Sequence, residues 1–181
     1  DHLVWESYAL DGNWFFAKLN DDLSILETNN QEVAEILRKL LCVIRTENST
    51  IDFKQYFRAE ANFDLKWGLG SSSTLISLLS QWSGVEPRTL LDVSFGGSGY
   101  DVACATANAP IIYANGHVKK EINLPTAITE NLLFIYLGHK QNSREEIKRY
   151  KKKTITNSDV DTINEIISNA LQTDKIEVFE Q

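Results

Sequence analysis

Basic residues are the minority in this chain: 18 Lys and Arg stand against 25 Asp and Glu over 181 residues, a formal charge of -7. A phosphate backbone demands a basic face, so this balance argues against nucleic acid as the main partner. Cysteine is almost absent. Cys42 and Cys104 are too few and too scattered for a disulfide framework or a zinc site, and they read as reduced packing residues. No apolar run approaches the roughly 20 residues that a bilayer requires, so no membrane partner is expected. No signal peptide is visible, although the chain begins at Asp1 and not at a methionine, so an N-terminal segment could have been removed. Internal repeats and low-complexity tracts are missing as well. These absences describe a cytoplasmic protein.

The composition that remains, 43% hydrophobic and 24% charged, is ordinary for a globular protein, and the length allows one or two domains. Two runs, Leu3–Tyr8 and Trp14–Leu19, flank Asp11-Gly12-Asn13 and read as a hairpin. Val33, Ile36, Leu37, Leu40, Leu41 and Ile44 repeat at helical spacing, which predicts a helix from about Gln31 to Arg45. Phe57, Ala59, Ala61, Phe63 and Leu65 alternate with polar residues as a half-exposed strand. Helices are expected at Ser72–Trp82 and Pro87–Val93, and a second hairpin at Ile111–Tyr113 and Val118–Leu124, with Asn115-Gly116 as its tight turn and His117 at the surface. Pro125 and the polar run from Thr126 to Asn131 mark a boundary near Ala127, giving domains 1–127 and 128–181. Beyond it, Leu132–Gly138 has a buried-strand pattern, a charged helix runs from Arg144, Val160–Leu171 is amphipathic, and Ile176–Gln181 begins a further element. The class is α+β.

Three segments carry chemistry. The first, Lys66-Trp67-Gly68-Leu69-Gly70-Ser71-Ser72-Ser73-Thr74, is a glycine-serine turn running straight into a helical pattern. Glycines let the backbone approach a ligand closely, and the first amides of a helix have no intrahelical acceptor, so the junction suits phosphate. Serine and threonine in the same place also cap an ordinary helix, and both readings are open. The second, Ser94-Phe95-Gly96-Gly97-Ser98-Gly99-Tyr100-Asp101, delivers an aspartate from a glycine loop, where it either orients a hydroxyl and accepts a proton or only caps the segment Val102–Ala107. In the third, His139-Lys140-Gln141-Asn142-Ser143 joins the Leu132–Gly138 run to the charged helix; Ser143 and Glu146 have capping-box spacing. The cations Arg149, Lys151, Lys152 and Lys153 near the end of that helix either steer an anion or form a solvated helix end.

Together these segments resemble the GHMP kinase superfamily, which includes galactokinase, homoserine kinase, mevalonate kinase and phosphomevalonate kinase. The phosphate loop of that family is similar to Gly68-Leu69-Gly70-Ser71-Ser72 followed by Ser73 and Thr74, and its later Ser-Gly-x-Asp segment is matched by Ser98-Gly99-Tyr100-Asp101. Gly99-Tyr100-Asp101-Val102-Ala103 looks like the Gly-Tyr-Asp-Ile-Ala signature of a mevalonate-pathway-like branch. The resemblance implies a two-lobed GHMP kinase-like fold: a ribosomal protein S5 domain 2-like N-terminal lobe, then the start of a ferredoxin-like C-terminal lobe. It implies transfer of the ATP γ-phosphoryl group to an alcohol or phosphomonoester of a small metabolite. Gly68, Leu69, Gly70, Ser71, Ser72, Ser73 and Thr74 would bind ATP, with Ser72 contacting Mg2+. Asp101 would orient or deprotonate the acceptor hydroxyl as a catalytic residue, Lys140 would offset charge on the acceptor or on Asp101, and Ser98, Gly99, Tyr100, Asn142 and Ser143 would lie beside the acceptor.

This chain also departs from the family. Asp64 stands where a proline is frequent, and Leu90 falls where mevalonate kinases carry a second magnesium-binding glutamate, with Asp92 nearby but out of register. The N-terminal substrate segment and the C-terminal glycine-rich motif find no counterpart between Asp1 and Gln181, so the chain is expected to be part of a longer protein. A non-catalytic GHMP-like protein that binds nucleotide or metabolite is the alternative to a kinase, and an ATP-dependent decarboxylase of the same superfamily is a third reading.

Overall fold

The computed structural model describes residues 2–139, 143–173 and 175. They form a mixed α and β structure in two compact units, Asp1–Lys120 and Glu121–Gln181, divided a few residues before Ala127.

The first unit is organised by a four-stranded sheet. β1 (Leu3–Ala9) and β2 (Gly12–Leu19) are the antiparallel hairpin expected from the sequence. β3 (Ile25–Thr28) pairs with β2, and β4 (Tyr56–Glu60) lies parallel to β1, giving the order β3-β2-β1-β4. Alternation along the strands separates two faces: Leu3, Trp5 and Ser7 of β1 and Phe15, Ala17 and Leu19 of β2 are buried, while the residues between them are half-buried. The strand expected over residues 57–65 is shorter than its pattern. Its last ladder-like bond joins the Ala61 amide to the Tyr8 carbonyl (2.9 Å), and β1 ends one residue later, so the chain beyond Ala61 has no strand to pair with.

α1 (Gln31–Glu47) covers the buried face. It starts where the Asn30 side chain accepts the Val33 amide (3.2 Å), and it buries Ala34, Leu37, Leu40, Leu41 and Ile44. Each large aliphatic side chain withdrawn from water in this way stabilises the fold by roughly 1.5–3 kcal/mol. α1 packs on β2, β3 and α3 (Pro87–Val93), and α3 also touches α2 (Ser71–Ser83). A chain of aromatic rings ties α2 to the sheet. Trp5 stacks on Phe57 with centroids 5.4 Å apart, and the Trp82 indole meets Phe57 and Phe53 edge-on at 5.0 and 5.8 Å. The buried Trp5 indole N–H is satisfied by Ser7 Oγ (2.9 Å).

Next come α4 (Tyr100–Thr106) and the hairpin of β5 (Ile111–Ala114) and β6 (His117–Glu121), in which Asn115 and Gly116 both take positive φ, as a tight Asn-Gly turn demands. His117 is exposed, as expected.

The described part of the second unit contains α5 (Thr126–Thr129), α6 (Ser143–Tyr150) and α7 (Asn157–Gln172). α7 begins at a reciprocal capping box between Thr156 and Asp159, three residues before the apolar pattern starts. The buried strand expected at Leu132–Gly138 is not formed. No ladder covers it, and Leu133, Phe134 and Ile135 are 86, 97 and 79% exposed. A strand needs a neighbouring strand for its amides, and among the described residues none pairs with this run. The element expected over 176–181 lies outside the described residues. Among those residues no helix is long and apolar enough to cross a membrane.

Two outcomes follow from the packing of the first unit. Leu40→Ala, at a position with no exposed surface, should cost about 2–5 kcal/mol in a denaturant titration; a loss well under this range would mean that α1 does not seal the sheet. On the opposite face, Glu6 Oε2 accepts hydrogen bonds from the Tyr56 and Tyr8 hydroxyls (2.5 and 2.7 Å), which hold its carboxyl below the usual range. A lowered folded-state value stabilises the fold above the ordinary carboxylate range, and the contribution is lost as pH falls through the folded-state value. Tyr56→Phe should therefore raise the Glu6 pKa, read by carboxyl-carbon NMR, and an unchanged titration would remove Tyr56 as its cause.

Candidate functional site

Asp64 prepares the glycine-serine turn. Its carboxylate accepts the Lys66 amide (2.8 Å) at the start of a single 3-10 turn, Leu65–Trp67, so the residue standing where the GHMP pattern has proline has a local capping task. Gly68 and Gly70 then take left-handed conformations, and Gly70 is the N-cap of α2. A glycine N-cap offers no side chain, and none caps this helix. The Ser73 and Thr74 hydroxyls do not accept from the first-turn amides; they donate to the Gly70 carbonyl at 2.7 and 3.1 Å. The first helical bond runs from the Thr74 amide to the same carbonyl (2.9 Å). Among the described residues the amides of Ser71, Ser72 and Ser73 are thus left without an acceptor. Serine capping, the plainer of the two readings of this turn, is not how α2 begins. Leu69 and Ser72 are exposed, Ser71 and Thr74 half-buried, and Ser73 buried.

The second glycine turn is held by three contacts. The Gly96 amide donates to the Leu91 carbonyl (2.7 Å), Arg88 Nη1 donates to the Gly97 carbonyl (3.1 Å), and the Tyr113 hydroxyl donates to the Ser98 carbonyl (2.8 Å). Gly99 is the N-cap of α4 with φ of 85°, and a Cβ there would stand 2.9 Å from Tyr113 Oη. The Tyr100 ring meets Tyr113 at 5.7 Å between centroids, and a hydrogen bond with Cys104 is the main cause holding its phenol above the ordinary value. Asp101 lies in the first turn of α4. Its carboxylate is exposed, makes no capping bond, and has no hydrogen-bond or ion-pair partner among the described residues. α2 and α4 pack against each other, which brings the two motifs onto touching helices of one unit.

The free amides suit an anion such as phosphate. Among the described residues no three His, Cys, Asp or Glu side chains cluster to hold an ion. Leu90 is fully buried in the core, and Asp92 is paired with Arg88 at 2.9 Å. Magnesium held here would depend on the exposed Ser72 hydroxyl and on the phosphates themselves.

Lys140 and Asn142 lie outside the described residues. Ser143 opens α6 and its side chain lies outside them too. Sequence reading missed Arg88 and Tyr113, which shape the Ser98–Asp101 turn. The i,i+4 spacing of Arg88 and Asp92 signals an ion pair, but nothing in it signals the reach to Gly97. Compared with protein-family models, with curated proteins and with solved structures, the chain matches none.

The crowding at Gly99 is open to measurement. Gly99→Ala forces both a left-handed alanine and the close approach to Tyr113 Oη, and should cost about 1–2 kcal/mol or more. In a double-mutant cycle with Tyr113→Phe part of that loss should disappear; strict additivity would mean that the two residues do not meet.

Proposed function

We propose that this chain carries the phosphate-binding part of an ATP-dependent small-molecule kinase of the GHMP type. In this reading the first unit is the ribosomal protein S5 domain 2-like lobe and the second begins the ferredoxin-like lobe. The acceptor is an alcohol or phosphomonoester of a mevalonate-pathway-like metabolite. The observation that carries the reading is the run of acceptor-free amides at Ser71, Ser72 and Ser73, set behind two left-handed glycines.

Bound at this turn, ATP would supply the transferable phosphoryl group, and magnesium would neutralise part of its charge. The amides of Ser71–Ser73 hold phosphate oxygens with pre-oriented dipoles, which need no reorganisation as charge develops. Such transfer depends on positioning and charge neutralisation more than on covalent chemistry by the protein. Asp101, whose carboxylate has no partner among the described residues, would orient the acceptor hydroxyl or take its proton, and bound ATP would supply the phosphoryl group, with ADP as the leaving group. Tyr113 and Arg88 act as positioning residues for the turn that carries Asp101.

A second reading, a nucleotide-binding protein without catalysis, is favoured by one observation: Leu90 is core and Asp92 is paired with Arg88, so neither stands in for the magnesium-binding glutamate of mevalonate kinases.

Titration of the chain with ATP should shift the Ser71–Ser73 amide resonances more than those of the rest of α2. If these amides do not respond, the nucleotide site is lost and both readings fall with it. Asp101→Asn should leave ATP affinity nearly intact while lowering phosphoryl transfer by about 100-fold or more. ATP binding with no ADP formed in the presence of mevalonate, phosphomevalonate or related acceptors would favour the non-catalytic reading.

A further inference from the structure

Five of the chain's 18 basic residues fall within six consecutive positions, Lys148 to Lys153, interrupted only by Tyr150. This concentration is out of keeping with a chain of net charge -7. The residues occupy the last turn of α6 and the tight turn after it, where the amides of Lys151, Lys152 and Lys153 bond back to the carbonyls of Ile147, Arg149 and Tyr150 at 3.0, 3.2 and 2.9 Å. The backbone therefore keeps the five residues within the end of the helix and one tight turn. All are exposed.

Two carboxylates, Glu145 and Glu146, share α6 with Lys148 and Arg149. Glu146 is engaged by Arg149 at 3.1 Å, and Glu145 lies in the first turn of the helix. Among the described residues Lys148, Lys151, Lys152 and Lys153 form no ion pair. The carbonyl end of a helix attracts cations, but it carries only about half an elementary charge, which accounts for one or two lysines and not for four. An open depression of about 400 Å³ lies against the turn, lined by Glu146, Ile147, Arg149, Tyr150 and Lys153.

We infer that this turn is a second anion site, separate from the glycine-serine turn and independent of the kinase reading, and that its ligand is a group bearing several phosphate charges. A single monoanion needs one or two cations. Four ammonium groups with no ion pair among the described residues match a diphosphate, a triphosphate or a phosphorylated lipid headgroup.

The two sites can be read separately in one NMR titration of the chain with inorganic tripolyphosphate. The Ser71–Ser73 amides report on the glycine-serine turn and the Lys151–Lys153 amides on this one. The variant Lys151→Gln, Lys152→Gln, Lys153→Gln changes only exposed side chains, and it should weaken binding at the basic turn by about tenfold or more while leaving the Ser71–Ser73 response unchanged. Arginine at the same three positions should retain binding. Sedimentation with phosphatidylcholine vesicles, with and without phosphatidic acid, separates the sources. Retention only on the phosphatidic acid vesicles assigns a lipid headgroup, and tripolyphosphate binding without retention assigns a soluble phosphate. The proposal is overturned if the Lys151–Lys153 amides ignore tripolyphosphate, or if the glutamine variant binds it as tightly as the parent. A single-stranded oligonucleotide that binds the turn and resists displacement by tripolyphosphate would overturn it as well.

Discussion

Burial of the apolar face of α1 on the inner face of the sheet is the constraint from which the first unit is built. Leu37, Leu40, Leu41 and Ile44 on the helix face a surface made by Leu3, Trp5, Phe15, Ala17 and Leu19. β4 can lie parallel to β1 only because α1 carries the chain from β3, at one edge of the sheet, to the other edge. Once β4 is in place, Phe57 presents its ring to Trp5 on one side and to Trp82 on the other. The sheet core thereby reaches α2, and through α2 it sets the position of the glycine-serine turn.

That turn shows how a structural need and a binding capacity share a few residues. Ile76 and Leu79 hold α2 in the core, while Ser73 and Thr74 turn their hydroxyls to a carbonyl and leave the amides ahead of them uncapped. A helix end left this way keeps its positive partial charge for a ligand. The second turn is arranged differently. Its backbone is braced by side chains from α3 and β5, and its aspartate is left uncommitted. Rigid support around unsatisfied groups is what a pre-organised site requires.

The second unit has a different balance. Its described helices carry apolar stripes that stay about half exposed, including Ile163 and Ile166 on α7, and Leu133, Phe134 and Ile135 are largely exposed. Exposed apolar surface of this extent is a feature of interaction faces. Its basic turn is equally exposed.

Local patterns were legible where the chain needs only itself or its nearest neighbour. The α1 repeat, the Asp-Gly and Asn-Gly turns and the proline start of α3 all appear at the expected places, because periodicity and turn chemistry act over a few residues. Phosphate-loop and Gly-Tyr-Asp letters likewise marked two glycine turns that are present. Strand endings were not legible: residues 61–65 keep the alternation of a strand after β1 has run out, and Leu132–Gly138 has the letters of a buried strand but joins no sheet among the described residues. Arg88 and Tyr113 were hidden for the same reason, since their partners lie 9 and 15 residues away in the chain. By itself the sequence determined the long helices, which turns are tight and where charge accumulates, because these are local consequences of side-chain type, while the short helix α5 at Thr126–Thr129 stood in a run that read only as a polar boundary. Only the tertiary structure decided which alternating runs become strands, which amides remain free and which carboxylate is left unpaired, because each of these is a question of whether a distant partner arrives.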